Sequence, residues 1–267
     1  MTLLFLPAYG SMDPLHIAFL SGAGVLAGIL AAIVGGAAVV VYPALIVSGV
    51  SPQAAAVCNT AAIMPATMLA ALSDRSQLPP LNRAFFGLIA ASVSGAALGA
   101  ALLLLTPERT FSIIVPLLLG FATVLFAYSD RISAWVRARA ADRGRDFTLK
   151  VTNMKMLLPV SFYGGYFGAG VGILLLGIFS LATGGDYRSA NVTKNFVTSL
   201  NGLVASVVFV SQGAVVWPQT LALMAGTICG GLIGAQIARV IPRRVVRVLI
   251  VAVGAALTVA FARRYWF

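Results

Sequence analysis

Long apolar runs, separated by short polar or glycine-rich segments, make up most of this chain. Several runs approach 20 residues, the length of an α-helix that crosses a bilayer. Ser51-Pro52-Gln53 pairs a good helix cap with a proline in the first turn, which predicts a helix start. The pattern predicts an all-α integral membrane protein with ten apolar segments: Leu15–Val34, Ala37–Ser48, Pro52–Leu72, Ala84–Leu105, Phe111–Tyr128, Met156–Phe167, Ile173–Ala182, Ser189–Val210, Pro218–Ala238 and Val245–Phe261.

The ten segments form two sets of five, and the two sets share landmarks. One shift of the numbering, corrected by a single-residue gap, superimposes Gly28 on Gly164, Gly36 on Gly172, Asn59 on Asn195, Gly95 on Gly230 and Gly99 on Gly234. Repeats with interrupted helices at matching positions are typical of secondary transporters. We therefore expect a first membrane repeat over 1–130, a basic cytoplasmic connecting loop over 131–153 and a second membrane repeat over 154–267.

The distribution of basic residues predicts the orientation of these repeats, because cytoplasmic loops collect Lys and Arg. Five segments per repeat invert the second half relative to the first and leave both termini outside. This arrangement places all but Arg109, Arg263 and Arg264 of the 18 basic residues on or near the cytoplasmic side. Met1–Leu15 lacks a basic start and an obvious cleavage site, so we expect no cleaved signal peptide. The predicted location is the plasma (inner) membrane.

Composition narrows the function classes. The chain is 60% hydrophobic and 9% charged, far below the charged fraction of soluble domains. Its net charge of +11 is not a nucleic-acid footprint, since the basic residues lie at segment ends and in one loop. Cys58 and Cys229 fit buried thiols, and we expect no metal site and no cofactor. His16 is the single histidine, no catalytic constellation is apparent and no nucleotide-binding loop occurs, so we expect no enzyme.

Lys194 is the charged residue that lies well within a spanning run. A lysine at mid-membrane costs about 2.5–3.5 kcal/mol on insertion scales. Counted from Asn191, the residues Lys194, Asn195 and Thr198 follow at spacings of three, four and seven, so the four share one helix face. One interpretation is an anion site, with an ammonium for charge and amides and a hydroxyl for the oxygen atoms. The other is a lysine whose long side chain carries the ammonium group to the cytoplasmic membrane–water interface.

Asn59, followed by Thr60, is the counterpart of Asn195 in the first repeat. It fits either a helix–helix hydrogen bond or a second half of the same site. Glycines are dense in two short stretches, which contain Gly35, Gly36, Gly168, Gly170 and Gly172. This density favours a break in the helix, where the exposed amides of a new half-helix bind anions. The spaced pairs Gly95/Gly99 and Gly230/Gly234 fit close helix packing instead, as does Asn201.

These motifs resemble the TauE/SafE sulfite exporter family, also called the toluene-sulfonate uptake permease (TSUP) family. The resemblance covers nearly the whole chain and rests on Val34-Gly35-Gly36, Tyr42-Pro43, Asn59-Thr60, Gly168-Ala169-Gly170-Val171-Gly172 and Asn195. It departs from the family at Ala37 and Ala38, where the first glycine run is usually longer. It implies a transporter of sulfite, organosulfonates or related small sulfur oxyanions. The alternatives are a carrier or channel for another small solute, and a membrane scaffold without transport activity.

Overall fold

The computed structural model describes residues 13–33, 36–79, 82–141, 151–183, 186–237 and 243–266. Every regular element in these ranges is helical, which confirms the all-α prediction. A short 3-10 helix, Arg75–Gln77, follows the third α-helix. The α-helices are α1 (Pro14–Ile33), α2 (Ala38–Val47), α3 (Pro52–Leu72), α4 (Arg83–Leu105), α5 (Glu108–Ala127), α6 (Ser129–Ala141), α7 (Val151–Tyr166), α8 (Val171–Ala182), α9 (Tyr187–Ser211), α10 (Trp217–Ile237) and α11 (Arg243–Trp266).

Polar caps fix the starts of the helices that matter most for the site. The Ser51 side chain accepts a hydrogen bond from the Ala54 amide, and Pro52 occupies the first position of α3, as the sequence predicted. Asp186 accepts from the amides of Arg188 and Ser189 at the start of α9. Each cap satisfies amides that the first helical turn leaves without an intrahelical partner.

The ten predicted apolar segments correspond to ten of these helices, and α6 is additional. Ser129–Ala141 is helical, whereas we expected a loop from residue 131 onward. Its sequence carries three arginines and little apolar surface, so it gave no spanning signal. The sequence also placed the start of the sixth segment at Met156, but α7 begins at Val151.

Glycines bring two helix pairs into backbone contact. A Cβ atom at Gly28 of α1 would collide with the Thr227 carbonyl of α10, and one at Gly230 would collide with the Val25 carbonyl. In the second pair, a Cβ atom at Gly99 of α4 would collide with the Phe162 carbonyl of α7. Close approach of this kind needs small residues at the crossing. The packing role predicted for Gly99 and Gly230 is confirmed.

The helix pairs are equivalent under exchange of the two repeats. α1 packs on α10, and its counterpart α7 packs on α4; α3 packs on α9 at the centre, and α5 packs on α11. Helix α3 also contacts α10, and α9 contacts α4 in the same way. The two halves therefore use the same set of neighbours. The inverted orientation of one half relative to the other remains a prediction.

The outer surface of the bundle is apolar. Leu98, Leu117 and Val207 are all more than half exposed, as expected of side chains that face lipid rather than water. Among the described residues, six helices are long and apolar enough to cross a bilayer: Pro14–Ala31, Pro52–Leu72, Arg83–Leu105, Glu108–Ala127, Tyr187–Ser211 and Arg247–Trp266. The shorter apolar helices α2 and α8 lie directly after the glycine breaks.

Candidate functional site

Both predicted breaks occur, and each one starts a short helix. In the first half α1 ends at Ile33 and α2 begins at Ala38; in the second half α7 ends at Tyr166 and α8 begins at Val171. Gly36 lies in the first break and is buried, while Gly35 lies outside the described residues. The first amides of each short helix have no acceptor within their own helix. Several of them donate to carbonyls of the break: Val39 and Val40 to Gly36 and Ala37, and Val171 and Ile173 to Gly168 and Gly170. Two half-helix starts are thus held inside the protein.

The second break depends on glycine conformation. Gly168 and Gly170 have φ angles of +81° and +80°, a region that side chains with a Cβ rarely adopt. The Tyr163 hydroxyl donates a hydrogen bond of 2.5 Å to the Ala169 carbonyl and ties the break back to α7. Phe167, also in the break, packs edge-on against Tyr42 with ring centroids 5.6 Å apart. These contacts fix the position of the start of α8.

Lys194 lies inside the protein. Its residue is 5% exposed in the absence of any lipid, so protein atoms alone cover it. Among the described residues, no carboxylate lies within ion-pair distance of its ammonium group, and no hydrogen bond to it is found. A buried ammonium without a counter-ion is costly. Burial by protein favours the anion-site interpretation of Lys194 over the interfacial one, and the site itself remains a prediction.

Lys194 borders a cavity between the two half-helix starts, which we call the lysine cavity. Its volume is about 60 Å³. The first turns of both α2 and α8 contribute to its wall, and so do the central helices α3 and α9. It is lined by Ala31, Ala37, Ala38, Asn59, Ile63, Thr67, Gly168, Val171, Gly172, Lys194, Asn195 and Thr198.

A second cavity adjoins the first and shares half of its lining, including Asn59, Gly168 and Thr198. Its volume is also about 60 Å³. We call it the threonine cavity, because Thr60, Thr67 and Thr198 line it. Lys194 does not border it. Its complete lining is Asn59, Thr60, Ile63, Met64, Thr67, Gly164, Gly168, Val171, Leu175, Thr198, Asn201 and Gly202.

Two polar atoms at the shared wall have no hydrogen-bond partner within the described part of the chain. They are the Asn59 Oδ1 atom and the Thr198 Oγ1 atom, and both are buried. Thr60 and Thr193, by contrast, donate to the carbonyls four residues before them. Most buried polar groups in proteins are paired. Unpaired atoms at a cavity wall are therefore candidates for ligand contact.

The structure brings most of the predicted site residues together. Asn59, Asn195, Thr198, Gly168, Gly172 and Lys194 line the lysine cavity, and Thr60 lines the threonine cavity. Asn191 lines neither. Gly170 also lies outside both linings: a Cβ atom there would be 3.4 Å from Ala122 and Leu125 of α5. Gly36 does not line the lysine cavity, although its neighbours Ala37 and Ala38 do.

Two polar lining residues were not singled out as site residues from the sequence. Thr67 borders both cavities and lies two helical turns after Asn59 and Thr60, a spacing that could have indicated it. Asn201 borders the threonine cavity and also joins a buried network, in which Ser92 donates to it over 2.8 Å and Asn201 donates to Ser161 over 3.1 Å. That network, linking α4, α7 and α9, agrees with the packing role expected of Asn201.

Comparison with known proteins identifies relatives along nearly the whole chain. The sequence model of the family described as "Sulfite exporter TauE/SafE" matches residues 20–261. A probable membrane transporter protein of Sinorhizobium sp, ORF9, is 27% identical over 91% of this chain and 91% of its own length. A probable membrane transporter protein of Haemophilus influenzae is 24% identical over 88% of this chain and 90% of its own length.

A third relative, the probable membrane transporter protein YfcA of Escherichia coli K12, is 23% identical over 92% of this chain and 90% of its own length. No solved structure matches the chain. The names of all three relatives indicate membrane transport, and none of them states a substrate.

Proposed function

Because the chain belongs to the TauE/SafE family, and is thus a multi-pass membrane transporter, we propose that it is a secondary carrier of small sulfur oxyanions such as sulfite or the smallest organosulfonates. The proposed binding site is the lysine cavity, with Lys194 as the fixed positive charge. The Asn195 and Asn59 side-chain amides and the positively charged ends of α2 and α8 complete the site around the anion.

The observation that carries this proposal is the burial of Lys194 between two half-helix starts. An anion that leaves water needs compensating charge or many hydrogen-bond donors. The start of a helix carries a partial positive charge, which favours an anion. Two such starts and one ammonium surround the same small space. Within the described residues no acidic side chain lines that space, so its local potential favours anions.

The size of the cavity supports a compact substrate. One water occupies about 30 Å³ in the liquid, so a volume of about 60 Å³ corresponds to roughly two waters. Sulfite and similar inorganic oxyanions match that space. An aromatic sulfonate would require the surrounding helices to separate. We therefore expect affinity to fall from sulfite through short-chain sulfonates to aromatic sulfonates.

A ligand panel on the purified protein tests this proposal. Thermal unfolding in detergent is measured with sulfite, sulfate, methanesulfonate, toluenesulfonate and chloride at equal ionic strength. We expect a saturable rise in Tm with sulfite, because a ligand that binds the folded state stabilises it. Lys194→Met should lose the rise, whereas Lys155→Met, which removes an exposed lysine, should retain it. Equal responses of the two variants would refute the site, and no response to any anion would refute the substrate class.

A further inference from the structure

The threonine cavity contains chemistry that an anion leaves unused. The Asn59 Oδ1 atom is buried and unpaired within the described residues, and Asn59 is 3% exposed. A carboxamide oxygen is only an acceptor, so an anion cannot satisfy it. The Thr198 hydroxyl, also unpaired, has two acceptor lone pairs. Both residues line the threonine cavity.

Two oxygen atoms and the Asn59 carboxamide lie beside Gly168. The position that a Cβ atom on Gly168 would occupy is 3.3 Å from the Gly164 carbonyl oxygen, 3.8 Å from Thr60 Oγ1 and 4.0 Å from Asn59 Nδ2. The unpaired Oδ1 atom of Asn59 belongs to the same carboxamide group. Thr60 donates its own hydrogen to Ala56, which leaves the hydroxyl oxygen as an acceptor there. Glycine keeps this space open.

The break between α7 and α8 makes the threonine cavity the less positive of the two. Gly164, in the last turn of α7, lines the threonine cavity alone, whereas Gly172 and Lys194 line the lysine cavity alone. The carbonyl end of a helix carries partial negative charge and the amide end partial positive charge. Val171, the first residue of α8, lines both cavities. The difference between them therefore comes from the carbonyl end of α7 and from Lys194, which would repel a cation.

We propose that the threonine cavity is a Na⁺ site that couples cation binding to anion binding. This inference rests on the proposed anion site in the adjacent cavity. Gly164, Thr60, Asn59 and Thr198 supply neutral oxygen ligands, the kind of site that unwound backbone and half-helix ends form for coupling ions. Asn59 and Thr198 line both cavities. An ion bound in one cavity therefore orders side chains that also line the other cavity. A dianion such as sulfite is then neutralised by Lys194 and Na⁺ together.

The first test measures Na⁺ binding with no sulfur anion present. Purified protein is titrated with NaCl, KCl or choline chloride at constant ionic strength, and thermal unfolding is recorded. We expect a saturable Tm rise with Na⁺ alone. Thr60→Val and Thr198→Val keep the shape of the side chain and remove one oxygen. Each should weaken Na⁺ binding at least about tenfold, because a polar contact to a charged group contributes about 1.5–3 kcal/mol. Thr193→Val, on the same helix but outside both cavities, is the matched control.

Two glycine variants separate the cavity from backbone strain. Gly168 and Gly49 have the same φ angle of +81°, but a Cβ atom at Gly49 meets no atom within 4 Å. Gly168→Ala should abolish the Na⁺ response, and Gly49→Ala should retain it despite the same conformational penalty. The Na⁺ inference is overturned if Na⁺ acts no differently from K⁺ and choline. It is also overturned if Thr60→Val, Thr198→Val and Gly168→Ala all keep the full response.

A reciprocal titration tests coupling and separates this inference from the anion proposal. Na⁺ should raise sulfite affinity, supplied as the choline salt, by the same factor by which sulfite raises Na⁺ affinity. Independent affinities for the two ions would refute coupling. A Na⁺ response that persists while no sulfur anion binds would refute the anion proposal and leave the cation site standing.

Discussion

Replacement of Lys194 by methionine tests the proposed site most sharply, because methionine keeps the length of the side chain and removes only its charge. Lys194 is 5% exposed and borders the lysine cavity. A hydrogen bond to a charged group contributes about 1.5–3 kcal/mol. Since about 1.4 kcal/mol corresponds to a tenfold change in affinity, the variant should bind sulfite roughly 10- to 150-fold more weakly.

The same change should leave the unliganded protein at least as stable. A buried charge without a partner costs free energy, and no partner of Lys194 is found among the described residues. Lys194→Met should therefore raise or maintain Tm without anion while it loses the anion response. Lys194→Arg should also bind sulfite poorly, because the planar guanidinium group of arginine does not reproduce the compact ammonium group of lysine.

Isothermal titration of wild type and both variants with sulfite provides the assay, with the Tm of each variant as the folding control. Wild-type affinity in a folded Lys194→Met variant would refute the reasoning. The anion site would then consist of the half-helix amides alone.

Two further predictions concern packing and orientation. Gly28→Val should lower the free energy of unfolding by roughly 1–3 kcal/mol or more, because its Cβ atom would collide with the Thr227 carbonyl. Gly22→Val on the same helix should have little effect, since a Cβ atom there meets no atom within 4 Å. Equal thermal unfolding of the two variants would contradict the helix contact. Reporter fusions at Phe267 and Gly144 should report opposite sides of the membrane, with Gly144 cytoplasmic, because that arrangement collects the arginines inside; a cytoplasmic Phe267 would refute five crossings per repeat.

Much of the fold follows from hydropathy because a bilayer requires backbone groups to pair within each spanning helix. That requirement makes an apolar run of about 20 residues a strong helix signal. The signal fails at α6, whose arginine-rich sequence is too polar for a spanning segment. It also misplaces the start of α7, since the helix extends beyond its apolar part to Val151.

The site was only partly predictable for a different reason. Matching glycines indicated where α2 and α8 begin, because dense glycine favours a break. The sequence could not distinguish Gly168, which lines both cavities, from Gly170, which faces α5. Both have left-handed φ angles, and only the path of the chain determines which way each one faces. Likewise, the burial of Lys194 depends on helices that are distant in sequence, so its own helix face left two interpretations open.

Sulfite flux into proteoliposomes tests the central claim most directly. Wild-type protein should catalyse saturable uptake of ³⁵S-labelled sulfite, and unlabelled sulfite inside the vesicles should accelerate it, as expected of a carrier that exchanges its substrate. Lys194→Met, reconstituted at equal density, should show little uptake above empty vesicles, whereas Lys155→Met should match wild type. Uptake by Lys194→Met at the wild-type rate, or no uptake by folded wild-type protein, would contradict the account.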